Sequence, residues 1–197
     1  RINTAKKLLS DIVDSLEQRK NLQLALRVYG HQHPKRVKNC KDTKLEVPFS
    51  PNNHEQIKKK LKLIQPKGVT PIAYSLELAA NDFPEEKNTR NVIILITDGL
   101  ESCKGDPCAV SLTLQRKGII LKPFIIGIGI NKDFAKSFDC MGAYFDASNV
   151  KDFKGILDKV IQRTLSETTV TVELLDINDK PTETNVNLTF INNFTGL

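Results

Sequence analysis

The chain of 197 residues carries a formal net charge of +6, with 40% apolar and 26% charged residues. This composition is typical of a soluble globular protein, and no apolar run reaches the roughly 18 residues that span a bilayer. Nucleic-acid binding is not expected, because the lysines are spread along the chain and no nucleic-acid-binding motif accompanies them. The one tight basic cluster, Lys58 to Lys60, lies in a helical apolar pattern and is expected to form a solvated face.

Helical and strand-like patterns alternate along most of the chain. In order, the patterns predict a helix over 4–17, strands over 22–30 and 44–49, helices over 54–64 and 72–83, a strand over 92–97, a helix over 108–117, a strand over 121–130, a helix over 132–139, a strand over 143–147 and a helix over 151–165. Pro48 marks the second strand as an edge strand, since proline cannot donate a ladder hydrogen bond. Pro71 suits the first turn of a helix, and Gly118 a helix end.

This alternation, together with strands that are apolar on both faces, predicts a parallel sheet covered by helices on each side. After Ser166 the pattern changes to alternating polar and apolar residues with a turn signal at Asn178–Asp179, which predicts β-hairpins. We therefore expect an α/β domain over residues 1–166. Residues 167–197 are interpreted as the beginning of a separate, β-sandwich-like domain.

Two oxygen-bearing residues are candidates for a functional site. Ligands of open α/β sheets bind at the carboxyl ends of the strands, and Asp98 directly follows the apolar strand 92–97. Thr70 lies in a loop that would open a helix at the same edge. Hydroxyl and carboxylate oxygens suit Mg²⁺, Mn²⁺ or Ca²⁺. The residue types alone leave a second interpretation open, namely a helix cap and an Asp-Gly turn.

The segments KGVTPIAYSLELAA and VIILITDGLESC, in this order, resemble the von Willebrand factor type A domain, and ALRVYGH and MGAYFDAS fit the same pattern. The resemblance covers residues 1 to about 165 and points to a bacterial branch of the family. It implies an open, mostly parallel, doubly wound sheet and a metal-ion-dependent adhesion site. By this resemblance Thr70 and Asp98 are metal ligands, and Gly68 and Gly99 support the metal loops.

One part of the family pattern is missing from this sequence. The resemblance implies that a first, central strand and an Asp-x-Ser-x-Ser loop precede Arg1, so the sequence is interpreted as an N-terminally truncated fragment. Neither Glu101 nor Ser102 matches a ligand position of the family. The complete site would hold a divalent cation, with Mg²⁺ preferred over Mn²⁺ or Ca²⁺, and this cation would accept a carboxylate from a protein or cell-surface ligand.

We therefore expect a binding or adhesion module and not an enzyme. Two alternatives stay open: a structural or assembly module whose metal site is empty, and a metal-dependent hydrolase. A hydrolase would need a general base near Asp98, which the sequence does not supply. His31 and His33 lack a third ligand at zinc-like spacing and are interpreted as part of a solvated turn.

The chain contains four cysteines. Cys103 and Cys108 enclose a short loop beside Asp98 and are predicted to form a disulfide there. The strand order that the resemblance implies places the loops of Cys40 and Cys140 towards opposite sides of the sheet, so these two are not expected to pair with each other. Either could be a buried apolar thiol. This cysteine usage favours an extracytoplasmic location, in a bacterial periplasm or at the cell surface.

Overall fold

The computed structural model describes residues 2–86, 89–125, 139–141, 145–146, 178 and 180. The chain divides into two units, residues 1–164 and 165–197. The predicted helices over 132–139 and 151–165 and the predicted β-rich domain lie outside the described residues, apart from Asp139, Asn178 and Lys180. These three elements stay predictions.

Helices and strands alternate through the described part of the first unit. In chain order they are α1 (Ile2–Leu16), β1 (Leu24–Tyr29), β2 (Thr43–Ser50), α2 (His54–Leu63), α3 (Ile72–Asp82), β3 (Val92–Thr97), α4 (Pro107–Arg116), β4 (Ile120–Ile125) and β5 (Phe145–Asp146). Single turns of 3-10 helix lie over Lys35–Val37 and Asp139–Met141. Every helix and strand predicted to begin before residue 125 is present, with ends shifted by a few residues where they are described; residues 126–130 of the predicted strand over 121–130 lie outside the described residues.

The described strands form two sheets. β1 and β2 pair antiparallel, with Tyr29 opposite Thr43. β3, β4 and β5 pair parallel in that order, with Val92 opposite Ile120. β2 is an edge strand among the described strands, in agreement with the interpretation of Pro48. The predicted α/β class is therefore confirmed, and its parallel part is the sheet that begins with β3.

Helices α1 and α2 cover one face of the β1–β2 sheet. Apolar residues recur every three or four positions along α1, which gives the helix one buried side. The buried apolar residues of this layer are Val13, Leu26, Val47, Ile57, Leu61 and Ile64. Within the described residues no helix combines the length and the apolar character that crossing a bilayer would require.

Helices α3 and α4 pack with the second sheet around a separate core. Its buried members are Ile72, Ala73, Leu76, Leu95, Val110, Leu114, Ile119, Leu121 and Met141. Tyr29 of β1 also packs against this core, so α3 lies beside both sheets. Successive side chains of a strand point to opposite faces, which explains why Leu26 faces α1 and α2 whereas Arg27 and Tyr29 face α3.

Glu46 of β2 is a buried carboxylate that joins three elements. Its side chain is 7% exposed and lies 2.9 Å from His31 Nε2, 2.9 Å from Lys60 Nζ and 3.2 Å from Lys44 Nζ. Burial alone would raise the pKa of Glu46, but the hydrogen bonds from His31, Lys60 and Lys44 lower it to about 2. The loop after β1, strand β2 and helix α2 are thus held together by one charged group.

Replacing Leu114 should create a cavity in the core of the second sheet. Leu114 is 1% exposed, and we expect Leu114→Ala to lower the free energy of unfolding by about 2–5 kcal/mol. Leu112→Ala is the matched control in the same helix, because Leu112 is 53% exposed. Its effect should stay within about 0.5 kcal/mol. Urea unfolding measures both changes, and equal losses would contradict the assignment of the core.

The lowered pKa of Glu46 predicts an acid-sensitive contribution to stability. In the unfolded chain the carboxylate of Glu46 takes up a proton more readily than in the folded protein. Its contribution to the free energy of unfolding is therefore present above the ordinary pKa of 4.5 and is lost as the pH falls towards about 2. The difference in unfolding free energy between the native protein and Glu46→Gln should shrink by about 1–2 kcal/mol between about pH 6 and about pH 3. The exposed Glu17→Gln serves as control, and a pH-independent difference would contradict the prediction.

Candidate functional site

The carboxyl ends of β1 and β3 and the loop before α3 meet at one rim of the first unit. The carbonyl oxygen of Gly30 accepts hydrogen bonds from the backbone N–H groups of Lys67 and Gly68, at 3.0 and 2.8 Å. A Cβ at Gly68 would lie only 2.9 Å from the carbonyl oxygen of His33. Gly30 has a φ of +64°, which favours glycine. Both glycines therefore allow the two loops to approach closely.

A buried carboxylate that sequence reasoning missed holds the loop after β1. Asp42 is 1% exposed and accepts hydrogen bonds from the backbone N–H groups of Gln32, at 3.2 Å, and His33, at 2.9 Å. Its Oδ2 would be 3.0 Å from a Cβ at Gly68. No local motif marks Asp42 in the sequence, because its partners are brought to it only by the turn after Gly30.

Thr70 is joined to the loop that follows β3. Its hydroxyl donates to the carbonyl oxygen of Leu100 and lies 3.0 Å from the hydroxyl of Ser102. The backbone N–H of Thr70 donates to Ser102 Oγ at 2.8 Å, and the backbone N–H of Ser102 donates to the carbonyl oxygen of Thr70 at 3.1 Å. Ser102, which the family pattern leaves without a role, thus fixes the backbone at Thr70.

Asp98 lies exposed at the end of β3, next to these contacts of Thr70 with Leu100 and Ser102, here called the clasp. The hydroxyl of Thr97 donates to the carbonyl oxygen of Gly99 at 2.9 Å and so shapes the turn that carries Asp98. A Cβ at Gly99 would be 3.5 Å from Thr70 Cγ2, an ordinary van der Waals distance. The loops of Thr70 and Asp98 are therefore neighbours, and Gly99 lies between them.

Tyr29 brings a phenol to the same neighbourhood. Its hydroxyl donates to the carbonyl oxygen of Ile96 at 3.4 Å, across the boundary between the two sheets. Burial raises the pKa of Tyr29 to about 12, and the negative charges of Asp98 and Glu101 add to the rise against a hydrogen bond with Thr97. The raised pKa keeps the phenol of Tyr29 protonated at neutral pH, chiefly because of burial.

Glu101 connects the loop after β3 to the start of α3. One carboxylate oxygen accepts from the backbone N–H of Ala73 at 2.8 Å, and the other accepts from the backbone N–H of Cys103 at 2.7 Å. The first contact satisfies an N–H group that the first turn of a helix leaves without an internal partner. Both carboxylate oxygens of Glu101 are thus occupied by hydrogen bonds that fix the backbone.

The predicted disulfide between Cys103 and Cys108 is wrong. Cys103 pairs with Cys40, and Cys108 pairs with Cys140, with Cα–Cα distances of 5.5 and 5.4 Å. The reason is the start of α4, where Asp106 accepts hydrogen bonds from the backbone N–H groups of Cys108 and the following residue. Cys108 therefore belongs to the first turn of α4, whereas Cys103 stays in the preceding loop. Cys40 and Cys140 do not pair with each other, but neither is a free thiol.

The oxygen donors at the rim fit a hard divalent cation only in part. Thr70 contributes a hydroxyl and Asp98 a carboxylate, and Mg²⁺ commonly combines one or two carboxylates with several waters. The part of the chain that the structure describes contains no group of three or more His, Cys, Asp or Glu side chains able to hold a metal. His31 and His33 bond to Glu46 and Asn39. Further ligands would have to be waters or oxygens beyond these two loops.

Comparison with known proteins identifies a family and a bacterial relative. Residues 1–158 match the von Willebrand factor type A domain family. The chain is 28% identical to the protein YwmC of Bacillus subtilis (strain 168) over 166 residues, which cover 79% of this chain and 71% of YwmC.

Solved structures share the fold at lower sequence identity. BatB from Bacteroides thetaiotaomicron superposes with a TM-score of 0.65 at 20% identity and covers 83% of this chain and 88% of BatB. Proximal thread matrix protein 1 from the mussel byssus, with a zinc-occupied MIDAS motif, gives a TM-score of 0.59 at 18% identity and covers 82% of this chain and 42% of that protein. At these identities the likeness shows the fold.

The disulfide pairing can be read directly from a tryptic digest of the unreduced protein. Each cysteine lies on a different tryptic peptide. We expect peptide 39–41 to be linked to 91–104, and peptide 105–116 to 137–151, because the paired loops lie side by side. A digest made after reduction is the control. A link between 91–104 and 105–116 would contradict the structure.

Proposed function

Because the chain belongs to the von Willebrand factor type A domain family, we propose that it is a metal-dependent binding module. In this proposal Thr70 and Asp98 contribute to the shell of a divalent cation, with Mg²⁺ as the preferred ion. The cation accepts a carboxylate from a protein or cell-surface ligand. Members of this family commonly act as metal-dependent interaction modules, and the byssus relative carries zinc in its MIDAS motif.

The observation that carries the proposal is the clasp between the loops of Thr70 and Asp98. One backbone–side-chain contact and one side-chain–side-chain contact with Ser102 hold Thr70, and the turn that carries Asp98 and Gly99 lies beside it. A cation that binds such a pair does not have to order two separate loops first, which lowers the entropic cost of binding. Thr70 also keeps lone pairs for a metal while its proton points to Leu100.

The chemistry of these two residues explains why a ligand carboxylate would be attracted. A neutral hydroxyl and a single carboxylate leave a divalent cation with residual positive charge, which an anionic oxygen from outside can neutralise. Asp98 is exposed, so the cation would lie at the surface, where a large partner can reach it. Recognition and not catalysis is therefore the activity proposed for the rim.

We further propose that the protein works outside the cytoplasm. Both cysteine pairs are oxidised, Cys40 with Cys103 and Cys108 with Cys140. Disulfides persist in oxidising compartments and are rare where glutathione and thioredoxin keep thiols reduced. The exposed Cys40 and Cys140 would be open to such reductants.

Removing either proposed ligand should weaken cation binding. We expect Thr70→Val and Asp98→Asn in the full-length protein to reduce the affinity for Mn²⁺ at least about tenfold, since each removes one oxygen ligand or its charge. Thr113→Val is the matched control, because this hydroxyl donates to Ala109 on the exposed side of α4. Titration calorimetry with Mn²⁺ measures the affinities. Equal binding by all four proteins would show that the cation lies elsewhere.

A further inference from the structure

The loop between β1 and β2 presents a cluster of positive charges beside the proposed site. Residues 34–41, here called the basic loop, contain the exposed cationic side chains Lys35, Arg36, Lys38 and Lys41. None of the four forms an ion pair with another residue that the structure describes. Charges that a fold leaves unpaired at one place create a local field that attracts oppositely charged partners.

The acidic residues nearest in sequence do not neutralise this cluster. Asp42 is buried, and its carboxylate accepts hydrogen bonds from backbone N–H groups of the turn after β1. Glu46 is also buried and is already bound to His31, Lys44 and Lys60. The positive charge of the basic loop is therefore open to the outside.

The basic loop is fixed against both loops of the proposed metal site. A disulfide joins Cys40 to Cys103, which directly follows the residue that holds Thr70. The backbone N–H of Lys35 donates to the carbonyl oxygen of Lys67 at 2.8 Å, three positions before Thr70. A ligand that reaches the rim would thus meet the charges of the basic loop in a defined place, at little ordering cost.

We propose that the partner is an acidic protein segment, in which one carboxylate binds the cation at Thr70 and Asp98 and neighbouring carboxylates face the basic loop. The first of these contacts rests on the function proposed above. Complementary charges of this kind raise the association rate and select among partners, and several of them together also raise affinity at low salt.

Apolar side chains among the charges favour a polypeptide over a purely ionic polymer. Val37 lies inside the basic loop and is 53% exposed, and Leu100 lies beside Thr70 and is 45% exposed. Protein interfaces combine an apolar centre with a polar and charged rim, whereas a phosphate polymer offers little that could cover these two side chains.

The test compares two synthetic peptides on the full-length protein loaded with Mn²⁺. One is blocked Gly-Asp-Gly, and the other carries glutamates on both sides of the same tripeptide. We expect the acidic peptide to bind about tenfold more tightly at about 50 mM salt, since several individually weak charge pairs add up. This preference should largely disappear at about 0.5 M salt, where surface charges are screened.

Two variants of equal charge change separate the basic loop from the overall charge of the protein. The combined replacement Lys35→Ala, Arg36→Ala, Lys38→Ala and Lys41→Ala should abolish the preference for the acidic peptide. The control replaces the exposed cations Arg19, Lys20, Arg116 and Lys117 by alanine. These four residues precede β1 and β4, at the opposite end of the strands from the rim, and their loss should leave the preference in place. Circular dichroism verifies that both variants fold.

The outcomes distinguish this inference from the function on which it rests. Equal, Mn²⁺-dependent binding of both peptides would overturn the role of the basic loop and leave the metal site standing. A preference that needs the basic loop but survives EDTA and Asp98→Asn would support the acidic partner and refute the cation contact. Displacement of the acidic peptide by a polyphosphate of the same charge, at equal or lower concentration, would overturn the assignment to a polypeptide.

Discussion

Helix α3 is the element through which the two sheets of the first unit are joined. Arg27 of β1 donates to both carboxylate oxygens of Asp82 at 2.6 and 2.7 Å, near the end of α3. A bidentate pair of this kind adds geometric specificity to its energy, and here it is mostly shielded from water. Ile72, at the start of the same helix, is fully buried in the core of the second sheet. Because Thr70 lies only two residues before the start of this helix, the packing of α3 determines where the rim loop lies.

The rim repeats this principle on a smaller scale, since residues of the loop after β3 also hold neighbouring loops and the start of α3. Glu101 satisfies the start of α3, Ser102 holds Thr70, and Cys103 is bonded to the loop of the other sheet. Loops usually carry function because a rigid scaffold positions them. In this protein three consecutive loop residues, Glu101, Ser102 and Cys103, also position the neighbouring loops.

The sequence predicted the elements well because their signals are local. The recurrence of Leu8, Ile12 and Leu16 at helical spacing indicates α1, and the apolar run before Asp98 indicates β3. Thr70 and Asp98 are candidate ligands from their oxygen atoms and their places at the strand ends, and the resemblance between motifs supports this interpretation. The structure adds that their loops are neighbours.

What the sequence could not predict depends on distances through space. Asp42 and Glu46 are ordinary carboxylates in the sequence, and only the fold surrounds them with donors. The sequence also indicates no role for the basic loop, because the attachment of this loop to the rim depends on the bond between Cys40 and Cys103. The same bond explains the wrong pairing, since spacing along the chain favours the nearest cysteine.

That pairing also bears on how the chain acquires its structure. Cys40 and Cys103 are 63 residues apart, and closing such a loop costs about 2 kcal/mol more chain entropy than closing the short loop between Cys103 and Cys108. In an unfolded, oxidising chain the local bond therefore has the statistical advantage, although it is not the native one. The native bond joins loops of the two sheets, so packing of the sheets on α3 favours this bond over the local one. Folding under oxidising conditions should accordingly include a step of thiol–disulfide exchange. In this step the thiolate of Cys40 attacks Cys103, releases Cys108 as a thiolate and replaces the local bond by the native one.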